Sequence, residues 1–409
     1  MKSNYKPLGK FIEFFDLRAI NHENELNLNS IKGISSISKD FIKTKANLVG
    51  VVSDNYKVVE KDSFAYNPNT ARMGDKIPIA LNQSDEPVLV SSIYPTFKIS
   101  KENELLPEYL MMWFNRPEFD RYARFKSHGS AREIFDWEEM CNTLLPVPSI
   151  DKQREIVKEY NVIQNRINLN NQLIQKLEET AQAIYKEWFV DFEFPDKNGL
   201  PYKSNGGEMV WCEELQQEIP VRWENSYLSE FVALSQGIQV DVEDQLLEKE
   251  NGMNRFLRII DFTPNTNEAP RYVKIAEERY YCSKDEIAMI RYGDAGTVCR
   301  RLEGIIANNL FKISPLNGLT NNFLFYFLTD SENQKKIKNS ELAVAMPAIT
   351  HNTIKELSII YPKNAENLII DFDMITQVIE NNILLKIKEI ENLKLLSNLL
   401  LSKLATVEN

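Results

Sequence analysis

Residues 145–195 read LPVPSIDKQREIVKEYNVIQNRINLNNQLIQKLEETAQAIYKEWFVDFEFP, and the period inside this stretch decides the fold. Ile156, Ile163, Asn170, Leu177 and Ile184 recur every seven residues, with Tyr160, Ile167, Ile174, Ala181 and Trp188 between them. Steps of alternating four and three residues place these side chains in one seam along a helix, the a and d positions of a heptad. Pro146 and Pro148 end whatever precedes them. The spacing therefore predicts one long helix over 150–190, with a seam about 48 Å long at 1.5 Å per residue. That is longer than a neighbouring domain of ordinary size would cover, so the seam is expected to meet another helix.

The partner is in the same chain. Phe372, Ile379, Lys386, Leu393 and Leu400 repeat the a pattern 216 residues on, with Thr376, Ile383, Ile390, Ser397 and Leu404 at d. Each seam has one polar a residue at the same height, Asn170 and Lys386, which lowers stability but restricts register. Upstream, Phe97-Lys98-Ile99 matches Phe311-Lys312-Ile313 at an offset of 214, and the same offset lays 105–110 over 319–324 and 145–148 over 359–362. Such self-similarity marks a duplicated structural unit. The expected fold is α+β: two mixed α/β units in tandem, each followed by a long helix, the helices pairing as an antiparallel coiled coil. The expected boundaries are 1–149 and 223–363 for the globular units and 150–190 and 364–409 for the helices, with an acidic linker at 191–222. Val49 to Val52, Ile287 to Arg291 and Ile305 to Ile313 read as strands, and Leu106 to Phe114 and Asn322 to Leu328 as helices.

Composition excludes several classes. The formal net charge of -11 argues against a nucleic-acid partner, but residues 191–254 hold fourteen acidic against four basic side chains, while residues 1–150 are nearly balanced. The rest of the chain is thus free to present basic faces. Cys141, Cys212, Cys282 and Cys299 are scattered, and none of the three histidines stands at metal-ligand spacing, so neither disulfides nor a metal are expected. No apolar run reaches membrane-span length, and Met1 to Leu17 lacks the apolar core of a signal peptide, so a cytoplasmic chain is expected. Catalytic motifs are missing too: no phosphate-binding Gly-rich loop with Lys-Ser/Thr, no dinucleotide cradle and no nucleophile elbow. Gly293-Asp294-Ala295-Gly296 reads as a tight turn between strands. Asn67-Pro68-Asn69 lacks the second proline and the aromatic of an amino-methyltransferase motif and reads as a turn. The chain is expected to do no chemistry of its own.

What it does offer is cationic. From 121 to 132 the sequence carries Arg121, Arg124, Lys126 and Arg132 with no acid, and Ser130 beside Gly129 lets a backbone come close. Arg and Lys neutralise phosphates, and Arg also grips guanine edges. The offset of 214 places Lys335 and Lys338 on Arg121 and Arg124. Arg291, Arg300 and Arg301 flank the glycine turn and complete the list of candidate DNA contacts.

The junction from Leu145 to Gln153, the helix ending Tyr185-Lys-Glu-Trp-Phe-Val-Asp-Phe-Glu-Phe-Pro195, then Gly199 to Tyr202, Gly206 to Met209 and Ile219-Pro-Val-Arg-Trp223 resemble the central region of type I restriction-modification specificity subunits. Gly129 to Trp137 and Pro347 to Thr350 resemble the segments that close their recognition domains. The resemblance covers essentially the whole chain. It implies two target recognition domains, each reading half of a split, asymmetric DNA site, with the helices setting the gap. It also implies two adenine-methylating subunits docked on the helices and ATP-driven restriction subunits beside them, with S-adenosylmethionine, ATP and magnesium held by those partners and none by this chain. A stand-alone DNA-binding regulator, a coiled-coil scaffold and an enzyme in its own right are the rival readings.

Overall fold

The computed structural model describes residues 5–22, 26–44, 46–69, 76–128, 133–263, 268–339, 348–363 and 366–407. The strand Tyr5–Pro7 pairs antiparallel with Leu144–Pro146, which joins the early residues to those just before the long helix. Leu8 N–H donates to the Thr143 carbonyl, and a 3-10 turn at Leu8–Lys10 leads into the strand Ile12–Phe15. That strand edges an antiparallel sheet in the order Ile12–Phe15, Thr96–Ile99, Ser63–Tyr66, Ile79–Leu81. Phe64 and Phe97 stand opposite each other and stack with centroids 4.8 Å apart. Helices α1 (Pro107–Phe114), α2 (Pro117–Lys126) and α3 (Trp137–Asn142) follow. Proline starts the first two, where the missing N–H costs nothing, and the Asp136 carboxylate caps the third by accepting from Glu139 N–H. Then comes α4 (Ile150–Phe189) as one helix.

The second half repeats the order of this plan. Trp223–Tyr227 pairs with Ser358–Pro362, Leu228 N–H donates to the Leu357 carbonyl, and a 3-10 turn at Leu228–Glu230 precedes the strand Val232–Gln236. The sheet order is Val232–Gln236, Leu310–Pro315, Ile287–Ile290, Val298–Cys299. Helices α5 (Asn321–Thr329), α6 (Ser331–Asn339) and α7 (His351–Lys355) each begin 214 residues after α1, α2 and α3. Thr320 and Thr350 cap α5 and α7 through their hydroxyls. The chain then enters α8 (Glu366–Lys403). A second sheet, Arg271–Val273, Asn254–Leu257, Gly304–Ile306, Tyr281–Cys282, contains one parallel pair, Asn254–Leu257 with Gly304–Ile306.

Contacts divide the chain into one unit of residues 1–169 and 389–409 and another of residues 170–388. Each long helix contributes to both. In the first unit Gln164 Nε2 donates to Ser397 Oγ at 3.0 Å and Arg166 meets Glu389 at 2.6 Å, so α4 and α8 run antiparallel there. In the second, Tyr185 and Trp188 lie against Phe372 while Glu178 and Glu380 meet at Arg301, so numbers again rise on one helix as they fall on the other. The first core joins sheet residues Phe64 and Phe97 to Ile156 and Val157 of α4 and to Leu401 and Leu404 at the end of the chain. The second joins Ile287, Phe311 and Phe323 to Tyr185, Phe189 and Phe372.

Two expectations change. Val49 to Val52 is not a strand: it is a turn with Gly50 at φ +75°, and Val49 and Val52 point to solvent. A short apolar run has no partner strand encoded in it, and none is supplied. Ile305 to Ile313 is two strands, Gly304–Ile306 and Leu310–Pro315, that belong to different sheets. Within 191–222, Met209–Cys212 and Gln217–Pro220 form a hairpin, and Phe194 stacks on Trp223 with centroids 5.3 Å apart. Among the described residues no helix is long and apolar enough to cross a membrane.

Candidate nucleic-acid interface

Helix α2 buries Phe119, Asp120 and Ala123, which turns Arg121, Arg124 and Phe125 outward. Its charges suit the helix dipole, with Glu118 and Asp120 in the first turn and Arg124 and Lys126 in the last. The helix is held by a buried pair. Lys39 donates to the Phe114 carbonyl and to Asp120 Oδ1 at 2.8 Å, and Asp120 also accepts from Ile77 N–H at 3.1 Å. Burial pushes the Lys39 pKa down, and the adjoining Asp120 charge opposes that.

The stretch that is acid-free in sequence is not acid-free in space. Arg121 meets Glu118 at 3.2 Å, Arg124 meets Glu133, and Lys126 and His128 meet Glu139 at 3.4 and 3.7 Å. The exposed pairs of Arg121 with Glu118 and Arg124 with Glu133 are worth only about 0–1 kcal/mol each, so a phosphate competes with them readily. Phe125, 82% exposed, stands between two of the cations. Sequence reading passed over it, although an aromatic inside a basic run was the available signal. Ser130 and Arg132 lie outside the described residues.

In the second unit Lys335 of α6 meets Glu332 at 2.7 Å, and Lys338 is exposed. The glycine turn packs onto this helix: Gln334 Nε2 donates to the Gly296 carbonyl at 3.2 Å, and a Cβ on Gly296 would come within 2.9 Å of Ile337. Gly293 and Gly296 both have positive φ, which glycine adopts at no steric cost. Arg291 enters the turn, with Nη1 donating to Gln236 Oε1 at 2.9 Å and its carbonyl accepting from Ile349 N–H. The fold thus draws the turn that Arg291 begins against the helix of Lys335 and Lys338.

His351, at the start of α7, packs on Phe311 at 5.0 Å, and its buried Nε2 has no hydrogen-bond partner among the described residues. Burial, then the charges of Arg291 and Lys355, lower its pKa below 6.5. The folded state therefore keeps His351 neutral while the unfolded chain takes up a proton. Its contribution to stability is complete above pH 6.5 and is lost as the pH falls below that value. Urea unfolding at pH 7.5 and 5.5 is expected to show a drop that is smaller in His351→Gln; equal drops would exclude this histidine as a cause.

Arg300 and Arg301 lie elsewhere. Arg300 contacts Glu380 at 2.7 Å, donates to Asn322 Oδ1 and Tyr326 Oη at 3.3 Å each, and covers the Phe325 ring at 3.5 Å. Arg301 holds Glu380 with two bonds of 2.7 and 2.9 Å and binds Glu178 with a third nitrogen. Burial lowers the Arg300 pKa; for Arg301 burial is outweighed by Glu380 and Glu178, and its pKa rises. Both charges are neutralised inside the chain, against the long helices. Adjacency to the glycine turn in sequence carried no information about this, because the strand Val298–Cys299 leads the chain away from the turn.

Along the helices, Ile156, Ile163 and Asn170 are buried, and Leu177, Ile184, Ile379, Lys386, Leu393 and Leu400 are half-buried. Asn170 Nδ2 has no hydrogen-bond partner among the described residues. The helices also carry apolar side chains on their outer faces. In the first unit Val162, Leu396 and Leu399 line a groove of about 670 Å³ with Lys158 and Glu155 at its rim. In the second, Leu173, Met374, Val378 and Leu385 are exposed. Among the described residues no three His, Cys, Asp or Glu side chains gather as a metal site.

Residues 220–395 match the family model of the type I restriction modification DNA specificity domain. The MjaIX type I restriction enzyme specificity subunit of Methanocaldococcus jannaschii is 26% identical over 161 residues, 39% of this chain and 35% of that protein. The HindI specificity subunit of Haemophilus influenzae is 30% identical over 93 residues, 22% and 20% of the two chains. The matched segments thus span about a third and a fifth of those relatives. The crystal structure of a type I restriction-modification S subunit from M. genitalium shares the fold, with a TM-score of 0.55 at 15% identity over 99% of this chain and 96% of that one.

Proposed function

We propose that this chain, whose residues 220–395 match the type I restriction modification DNA specificity domain, is a specificity subunit that reads a bipartite, asymmetric DNA site and directs partner enzymes to it. Residues 1–149 and 223–363 are the two target recognition domains, 191–222 joins them, and the helices at 150–190 and 364–409 set the gap. The observation that supports this most is the duplication. Two units of one topology carry cationic helices, α2 and α6, 214 residues apart, and a two-fold-repeated protein suits two half-sites at fixed spacing. Because the two units differ in sequence on those helices, the half-sites differ.

In this reading Arg121, Arg124 and Lys126, with Ser130 and Arg132 beyond them, contact one half-site, and Arg291, Lys335 and Lys338 the other. The exposed apolar faces of α4 and α8 receive two adenine methyltransferase subunits, since patches of that kind mark protein contacts. Restriction subunits join that complex. S-adenosylmethionine, ATP and magnesium are bound by the partners, the chain itself is not catalytic, and the assembly works in the cytoplasm. One observation favours the scaffold alternative: Arg121, Arg124, Lys126 and Lys335 are each paired with an acid of this chain.

The decisive experiment is co-purification with the neighbouring methyltransferase subunit, together with mapping of methylated adenines in host DNA. A gapped, asymmetric motif that vanishes when this chain is deleted supports the reading. A complex that forms but leaves no chain-dependent methylation refutes it. For the interface itself, Arg121→Ala with Arg124→Ala is expected to weaken DNA binding across sequences. The salt slope of log K should fall by about two, near 0.9 for each phosphate that is no longer neutralised. An unchanged slope would remove α2 from the interface.

A further inference from the structure

We infer that Arg301 is a positioning residue that sets the angle of the helix pair on the second recognition domain, and with it the gap length accepted between half-sites. This rests on the reading above and deepens it. The contacts that join α4 and α8 to the rest of the second unit begin at an aromatic cluster. Phe372 lies 6.1 Å from Tyr185, 6.1 Å from Trp188 and 5.2 Å from Phe189, ring centroid to centroid. Flat rings in an apolar cluster resist separation but leave some freedom to tilt. Further along, Thr329 Oγ1 donates to Gln182 Oε1 at 3.1 Å, and Asn322 Nδ2 donates to Asp373 Oδ1 at 3.0 Å.

Arg301 supplies the outermost of these ties. Glu178 is seven residues from Tyr185, about 10 Å along α4, and Glu380 is eight from Phe372, about 12 Å along α8. One attachment point leaves a pivot; a second, a lever arm away, defines an axis. A guanidinium suits that task because its planar fork takes one carboxylate with two parallel bonds and still offers a nitrogen to another. Here the fork grips Glu380 and the remaining nitrogen takes Glu178, so a single residue of the globular part holds both helices. Its own backbone is constrained: Arg301 has φ +74°, a left-handed conformation uncommon for a side chain of this size, and its N–H donates to the Lys284 carbonyl at 2.9 Å. In the first unit α4 carries a neutral tie of this kind, Gln153 donating to the Glu104 carbonyl.

The two carboxylates differ in a way that makes a test possible. Glu380, 7% exposed, balances two guanidiniums, so its loss would unfold the region. Glu178, 41% exposed, meets Arg301 at the surface. Glu178→Gln therefore loosens the tie without emptying the core, and Arg301→Lys keeps the charge but loses the fork. Each full-length variant is co-expressed with the methyltransferase subunit, and methylation is measured on the wild-type motif and on targets with one base pair added to or removed from the gap. Thermal unfolding checks that the variants are folded. Methylation of the altered-gap targets, relative to the native gap, is expected to rise about two- to fivefold, with both half-site sequences unchanged. Folded variants with an unaltered gap preference would overturn the role of Arg301 alone. Absence of any gapped motif with the wild-type chain would overturn the parent reading, and this inference with it.

Discussion

Phe372→Ala is expected to cost the second unit about 3–5 kcal/mol, the usual range for deleting a buried ring. Phe372 is fully buried and packs against Tyr185, Trp188, Phe189, Phe323 and Tyr326, with centroid distances of 5.2 to 6.4 Å. Truncation removes its transfer free energy and its edge-to-face packing, and leaves a cavity that five rigid rings cannot close. Two of those rings come from α5 and three from α4, so the void opens between the helix pair and the sheet-bearing part of the same unit. Hydrogen exchange resolves the effect by segment. Protection should fall across α5, the sheet of Ile287–Ile290 and α8 up to residue 388, while the strands Ser63–Tyr66 and Thr96–Ile99 of the first unit keep theirs. Unchanged protection in the second unit would mean that the ring is not the keystone of this core.

Asp120→Ala is expected to destabilise the first unit by about 3–5 kcal/mol, through a different mechanism. Its carboxylate accepts from Lys39 Nζ and from Ile77 N–H, and both the Lys39 and Asp120 side chains are nearly inaccessible. Without it an ammonium remains buried with only the Phe114 carbonyl to bind, and a backbone donor loses its partner. Lys39 must then lose its proton or drag its segment into water. Replacing both partners, Lys39→Met with Asp120→Leu, should recover most of the loss, because a buried pair is costly to break and cheap to replace with apolar groups of similar volume. Urea midpoints of the two single variants and the double variant measure this. If the double variant were as unstable as Asp120→Ala, lost packing rather than the stranded charge would be responsible. The same variants should disturb α2, since Asp120 sits in its first turn.

Much of the fold was legible because it is written in local periods. The heptads at Ile156 to Trp188 and Phe372 to Leu404 set two helices, found at Ile150–Phe189 and Glu366–Lys403. The repeat offset of 214 recurs in the starts of three helix pairs, although the local start signals differ: proline opens α1 and α2, whereas the Thr320 hydroxyl caps α5. Strands were less legible. Val49 to Val52 has the composition of a strand but no neighbour to bond to, whereas Trp223–Tyr227, which carries Glu224 and Asn225, becomes one through Ser358–Pro362.

The surface was the least legible part. Residues 121–132 hold no acid, yet Arg124 and Lys126 stand beside acids in space, since Glu133 and Glu139 return to α2 by way of Phe135, whose N–H donates to the Pro68 carbonyl. Arg300 and Arg301 share a sequence neighbourhood with Arg291 and have nothing in common with it in the fold. By itself the sequence determined that this protein is a duplicated α/β unit with two long seamed helices and no motif for chemistry, because side-chain period, caps and repeats act over a few residues. Only the tertiary structure decided which cations face outward and which bind helices, because a charge finds its partner by distance in space, and the chain brings Glu178 to Arg301 from 123 residues away.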